Sequence, residues 1–418
     1  MNKKKTTYYT VNGIIILIAI TISVNLFRDK YPQIIFNLSS EIAFLFILFD
    51  VIRGRVKLPT MNGAVLFFIS LIIVACVRGG WYFYESYSLN YQLVMNTAIN
   101  NLQNYQLQAK RLLMGTVTAI YVYKNREKIS AVTICISALV IMLGIITTTF
   151  FSIHQYLASG EQRTKLNVDA ASSSSYIVLF MYCSVISMLR YVRTNLAIII
   201  YSLSSVSSII TLYLCNTRVS FIAFLLVFLS SLFYMWHIFN PRKHVKWILY
   251  IIILSVCIPV LSGRWKEGIN DIKEYKYDDS TSLGARIAIW SAAMDFSESN
   301  LWFSSPQART ITTRNYIKNN FPENKEAWKN VQYNMHNEFL ETLSLQGVIG
   351  VISLVVFYLS FLFGVITKTI PHQTFYPVIS LFICGMSDSV LINPQSTMIF
   401  ISAIILSFIN PAKKYFKT

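Results

Sequence analysis

Apolar residues in this chain come in long runs separated by short polar gaps, not in the narrow stripes of a water-soluble helix. Windows of about 19 residues pick out twelve runs, near 10–27, 34–52, 60–77, 105–123, 129–150, 173–189, 196–214, 219–237, 247–261, 346–366, 374–390 and 397–410. A helix of about 20 apolar residues crosses a bilayer, and a lipid-embedded backbone must satisfy its own hydrogen bonds, which favours helices. The pattern predicts an all-α, polytopic membrane protein of about twelve transmembrane helices, the ninth and eleventh short. It divides the chain into helices 1–9 over residues 1–261, a large external loop subdomain over 262–345, and helices 10–12 with a tail over 346–418. The first run follows Lys3, Lys4 and Lys5 as a signal peptide would, but it lacks an Ala-x-Ala cleavage pattern and is read as retained.

Composition agrees. Of 418 residues, 54% are hydrophobic and 13% charged, about half the charged share of a soluble domain. A soluble enzyme, a disordered chain and a secreted disulfide scaffold are all disfavoured. Cys76, Cys135, Cys183, Cys215, Cys257 and Cys384 lie in or beside apolar runs without CxxC spacing, so they read as small buried hydrophobes. A net charge of +17 would suggest a nucleic-acid partner only if it gathered on one soluble face. Here it is scattered between apolar runs, and no nucleic-acid partner is expected.

The scatter has a sense. Alternate gaps carry Lys3–Lys5, Arg53, Arg55, Lys57, Lys124, Arg126, Lys128, Arg190, Arg193, Arg242, Lys243, Lys246, Lys368, Lys413, Lys414 and Lys417, with almost no acid. The other gaps are poorer in short basic clusters, and in residues 262–338 the basic residues are balanced by acids. Basic short loops stay cytoplasmic, whereas long segments cross regardless of charge. Both termini are therefore expected on the cytoplasmic side and the long segment, 262–338, on the outer side. The serines Ser172–Ser175 read as a helix entry.

The long segment is rich in Trp and Tyr, too aromatic for a flexible linker. Ser280-Thr281-Ser282 leads into a helix on which Ile287, Trp290, Met294 and also Ala293 share a face. Arg286 falls in its first turn, where the free N–H groups favour an anion; a bridge to a nearby acid such as Asp279 is the plainer alternative. Asn334 is a candidate cap for the next membrane helix, with Phe339, Leu340 and Leu343 on its packing side and His336 at its lip. Only His154 and His336 are external among the five histidines. His336 suits proton transfer near neutral pH, although a lone interfacial histidine is more often structural. Arg218, in Cys215-Asn216-Thr217-Arg218, sets a cation at the outer boundary, where it either snorkels to lipid phosphates or faces a polar substrate path. Lys110, Arg111, Arg264 and Asp388 are further polar residues at outer ends, Asp388 being able to orient an arginine or His336.

The order Asn216-Thr217-Arg218, Ser282-Leu283-Gly284-Ala285-Arg286 and His336-Asn337-Glu338 resembles the bacterial O-antigen ligase family, over essentially the whole chain. The resemblance implies a GT-C-like membrane glycosyltransferase. Its members transfer O-polysaccharide from undecaprenyl diphosphate to a sugar hydroxyl of lipid A–core, with inversion and without metal, cofactor or nucleotide sugar. It also implies that Arg218, Arg286 and His336 are catalytic and that Arg264 and Asp388 take part; Lys110 and Arg111 are substrate-binding candidates by their position at an outer helix end alone. The partners would be the lipid-linked glycan, lipid A–core and membrane lipids.

The chemistry asked of these residues is coherent. Guanidinium groups bind diphosphate oxygens through a fixed fork and stay charged at every working pH. A neutral imidazole can take the proton of the acceptor hydroxyl. A polymerase joining O-units would use the same donor chemistry and remains an alternative. A lipid or glycan transporter is less favoured, because transporters typically show repeats and charges near the midplane.

Overall fold

The computed structural model describes residues 3–28, 30–54, 61–88, 96–160, 163–239 and 282–411. Among these residues there is no strand. Among the described residues, eight long helices precede the outer segment: α1 (Lys3–Val24), α2 (Lys30–Ile52), α3 (Gly63–Ser88), α4 (Asn96–Asn125), α5 (Ala131–Ser159), α6 (Ala171–Leu189), α7 (Thr194–Cys215) and α8 (Arg218–Phe239). Three shorter ones follow, α9 (Ser282–Ser299), α10 (Pro306–Asn320) and α11 (Lys325–Asn330), then α12 (Glu338–Ile366), α13 (Phe375–Gly385) and α14 (Pro394–Ser407). Eleven of the twelve expected runs each coincide with one helix; the ninth, 247–261, lies outside the described residues, as does Arg264.

Among the described residues, α1, α2, α3, α5, α6, α7, α8 and α12 are long and apolar enough to cross a membrane. The chain is an all-α polytopic membrane protein. The polar first half of α4 keeps it outside that set, and the eleven residues of α13 and fourteen of α14 are shorter than a full crossing. The helix α6 is buried on all sides from Ser173 to Leu189, packed against α5, α7, α8 and α14. Such an all-round buried helix needs no polar face.

Local chemistry sets the helix ends. Ser130 caps α5 by accepting from the Thr133 N–H, and Gly160 closes it in the left-handed conformation. Asn216 does the same for α7 (φ 53°), so α8 begins at Arg218 after a turn of two residues. Ser305 and Asn393 cap α10 and α14, each followed by a proline in the first turn. Two expected caps prove to be elsewhere. The α6 serines lie inside the first turn, after Ala170, with no side-chain cap; Ser174 hydroxyl bonds the Lys165 carbonyl instead. The cap of α12 is Asn337, whose Oδ1 accepts from Phe339 and Leu340 N–H. Asn334 accepts from the His336 N–H at 2.8 Å, shaping the turn that precedes the helix.

The helices α9, α10 and α11 form a small subdomain over one end of the bundle. Its core is built from Ala285, Ala288, Ile289, Ala292, Ala293, Ile317, Ala327, Val331 and Met335. Ile287, Trp290 and Met294 do share a face, but it lines an open cleft, and Ala293 belongs to the buried one. The subdomain is pinned to α12 where that helix breaks. Gly347 has φ 64° and ψ −159°, and the interrupted ladder is completed by the arriving segment: Val348 N–H bonds Leu301 O at 3.0 Å, and Ser304 N–H bonds Leu345 O at 2.9 Å. A Cβ on Gly347 would meet Leu301 O at 2.2 Å, so both conformation and space require glycine.

Candidate active site

Three elements converge at the end of the bundle beneath the subdomain: the turn before α12, the turn after α13, and the first turns of α6. His336 sits in the first of these with φ 48°, a left-handed conformation that His tolerates better than most residues. The turn is held by the Asn334 bond above and by Trp290 of α9, whose Nε1 donates to the His336 carbonyl at 3.2 Å. Asp388 lies three residues past α13. Asn337 joins the two turns by donating its Nδ2 to Met386 O at 3.1 Å.

The Asp388 carboxylate is the hub. Its Oδ1 accepts from the Ser389 N–H at 2.9 Å and stands 3.3 Å from His336 Nδ1; its Oδ2 accepts from the Tyr176 hydroxyl at 2.8 Å. Burial alone would raise this carboxyl. The bond and charge of His336, the Tyr176 hydroxyl and the Arg286 guanidinium together outweigh burial and hold it at about 2. Asp388 is therefore an anion at neutral pH and can only accept hydrogen bonds. For an imidazole to donate to this carboxylate its proton must sit on Nδ1, the tautomer that leaves Nε2 as the acceptor nitrogen. The His336 side chain is 26% exposed, enough for a substrate to reach it.

Arg286 is half-buried on α9 and close enough for its charge to act on Asp388. The structure thus pairs His336 with Asp388 and sets Arg286 within electrostatic reach of that carboxylate; Asp279, the alternative partner for Arg286, lies outside the described residues. Arg218 is half-buried at the head of α8, at the same end, and α8 packs against α6 and α13, the helices that carry Tyr176 and lead to Asp388. Lys110 is exposed on α4. Its neighbour Arg111 is buried, and Arg111 Nη1 has no hydrogen-bond partner among the described residues. Between α9 and α10 opens a cleft of about 460 Å³, lined by Ile287, Trp290, Ser291, Met294, Asp295, Glu298 and Tyr316.

Residues 203–355 match the protein family described as O-Antigen ligase. That stretch is similar to the family's domain. Arg218, Arg286 and His336 fall within it, whereas Asp388 lies beyond the matched stretch. The chain is also 25% identical over 262 residues to the O-antigen ligase of Escherichia coli (strain K12), a similarity covering 61% of this chain. It spans about 60% of that relative's length. The matched stretch holds the two candidate arginines and the candidate base, and the turn after α13, beyond it, supplies the carboxylate.

Sequence reasoning gave no role to Tyr176, Glu338, Glu341, Arg78 or Arg309, although Glu338 closes the motif that begins at His336. Glu338 and Glu341 are both buried at the start of α12, directly after His336. Two carboxylates entering a membrane helix need partners, and that expectation is the signal that could have found them.

Proposed function

We propose that this protein is a membrane glycosyltransferase of the O-antigen ligase type. It moves O-polysaccharide from undecaprenyl diphosphate to a hydroxyl of lipid A–core at the periplasmic face of the inner membrane. The observation that carries the proposal is the His336–Asp388 pair within electrostatic reach of Arg286, in a chain with a stretch similar to the O-antigen ligase family. An ionised Asp388 fixes the imidazole tautomer and stabilises the imidazolium that forms when Nε2 takes a proton, the role of the carboxylate in a hydrolase triad.

In this reading the acceptor oxygen attacks the anomeric carbon from the face opposite the diphosphate. The new C–O bond forms as the C–O bond to phosphate breaks, the electron pair leaves with the diphosphate, and the hydroxyl proton passes to His336 Nε2. One displacement inverts the anomeric centre and needs no nucleophilic side chain. Arg286 and Arg218 meet the charge growing on the leaving diphosphate, where each well-placed donor contributes roughly 3 kcal/mol. Arg111 is a third candidate: a buried guanidinium nitrogen without a partner favours an anion brought by substrate. Arg264 and Lys110 are weaker candidates for the same substrate. The cleft beside Trp290 suits a saccharide, with aromatic walls for ring faces and carboxylates as acceptors for hydroxyls.

The sidedness follows the charge pattern. Arg53, Lys124, Arg126, Lys128, Arg190, Arg193 and Lys368 lie at the helix ends opposite this site, and basic short loops are cytoplasmic. The test is a purified protein supplied with lipid-linked glycan and lipid A–core, with and without chelator. Glycan-loaded core, formed equally in chelator, is the expected product. A lengthened lipid-linked chain would make the protein a polymerase, and loss of activity in chelator would contradict arginine-only charge stabilisation.

A further inference from the structure

Two ion pairs are buried at the membrane end of the site, and each joins distant elements. Arg78 of α3 reaches Glu338 Oε1 at 2.7 Å, and Arg309 of α10 reaches Glu341 Oε1 at 2.6 Å. All four side chains are at most 4% exposed. Pairs this deep are poor sources of stability, because desolvating both charges offsets most of their attraction and apolar replacements are often as stable. These two are more expensive than most. Arg78 Nε and Nη1, and Arg309 Nε and Nη2, are buried without hydrogen-bond partners among the described residues.

What the pairs do accomplish is visible in the second oxygen of each carboxylate. Glu341 Oε2 accepts from the Met335 N–H at 2.6 Å, one residue before His336. Glu338 Oε2 accepts from the Leu391 N–H at 2.9 Å, three residues after Asp388. The Tyr105 hydroxyl of α4 adds a bond to Glu341 Oε1 at 2.9 Å. Each arginine orients a carboxylate, and each carboxylate grips the backbone beside one partner of the His336–Asp388 pair. Both glutamates stand on the same first turn of α12, so the two grips share one rigid base. The left-handed turn at His336 is a conformation that persists only when its surroundings over-determine it, and the Met335 bond is part of that.

We infer that Arg78–Glu338 and Arg309–Glu341 are positioning pairs that set the His336–Asp388 geometry: Arg309–Glu341 fixes the histidine turn to the outer subdomain, and Arg78–Glu338 fixes the aspartate turn to the bundle. The inference rests on the proposed role of His336 as base. Misplacing a catalytic group by about 1 Å can lower a rate 10²-fold, so small losses of grip are readable.

The experiment uses the full chain in lipid nanodiscs with two neutralised variants, Arg309→Met with Glu341→Gln and Arg78→Met with Glu338→Gln, and the shortened variant Glu341→Asp. Removing both charges of a pair avoids stranding one of them. Each variant is expected to keep KM for donor and acceptor within about twofold and a near-native melting temperature, and to lose about 10- to 100-fold in kcat. A kcat that stays native when the melting temperature does would overturn the inference, as would a loss confined to KM. Should a neutralised variant fail to fold, Glu341→Asp decides by the same criteria. A second readout is independent of transfer: the rate at which diethyl pyrocarbonate modifies His336, measured by peptide mass spectrometry against the exposed His154. It is expected to change about threefold or more in the variants, in line with the lost positioning, and an unchanged rate overturns the inference. A wild-type protein without transfer activity would sink the proposed reaction while leaving this reactivity test to judge the positioning alone.

Discussion

Replacing His336 by alanine is expected to lower kcat for glycan transfer by about 10²- to 10⁴-fold, the usual contribution of a positioned general base. The acceptor hydroxyl would then have to lose its proton to water while attacking. Alanine is disfavoured at the left-handed φ of 48°, so His336→Asn is the companion variant: asparagine accepts that conformation but offers no basic nitrogen. Both variants should be equally slow. Circular dichroism and the melting temperature check that the fold survives, and single-turnover transfer reads the chemistry. A native rate in His336→Asn would remove the imidazole from the mechanism.

Asp388→Asn is expected to cost a similar factor, about 10²- to 10⁴-fold, as seen when the carboxylate behind a catalytic histidine is made neutral. The reason is charge. The His336 ring becomes positive as it takes the proton, and an amide cannot stabilise that cation as a carboxylate does. The substitution also presents an N–H₂ group to a site where Tyr176, Ser389 and His336 all donate. A pH signature accompanies it. The Asp388 carboxyl is held at about 2, below its ordinary 3.8, so its stabilising contribution is complete above the ordinary value and is lost as pH falls toward 2. That contribution is about 2 kcal/mol. Melting curves between pH 5 and pH 2 should therefore fall more steeply for wild type than for Asp388→Asn. Parallel curves would show that Asp388 is not held as an anion by its neighbours.

Much of this was legible from residue order. Apolar runs located the helices because lipid imposes length and hydrophobicity directly. His336, Asp388 and Arg286 were legible chiefly through their resemblance to the O-antigen ligase family, because each alone was open to a structural role. The helix after Ser282 was found, but its buried face was not. Its large apolar residues, Ile287, Trp290 and Met294, line the cleft, while the packed side is mostly alanine. Small side chains carry little hydrophobic signal, yet they let short helices approach closely. Tyr176 looked like one more aromatic residue in an apolar run, since nothing local marks a tyrosine whose hydroxyl meets a carboxylate 212 positions away. The cap of α12 went to Asn337 instead of Asn334 because the turn around His336 uses Asn334 first. The break at Gly347 was hidden too, because the groups that satisfy it arrive from Leu301 and Ser304.

The division of labour between the arginines and the histidine is the core of the account, and equilibrium binding of undecaprenyl diphosphate to the protein in nanodiscs tests it most directly. Losing one charge-assisted contact should weaken binding about 10- to 100-fold in Arg286→Ala and in Arg218→Ala, at roughly 1.5–3 kcal/mol each. His336→Asn should bind the lipid as wild type does while failing to transfer. Native affinity in both arginine variants, or affinity lost in His336→Asn, would contradict it.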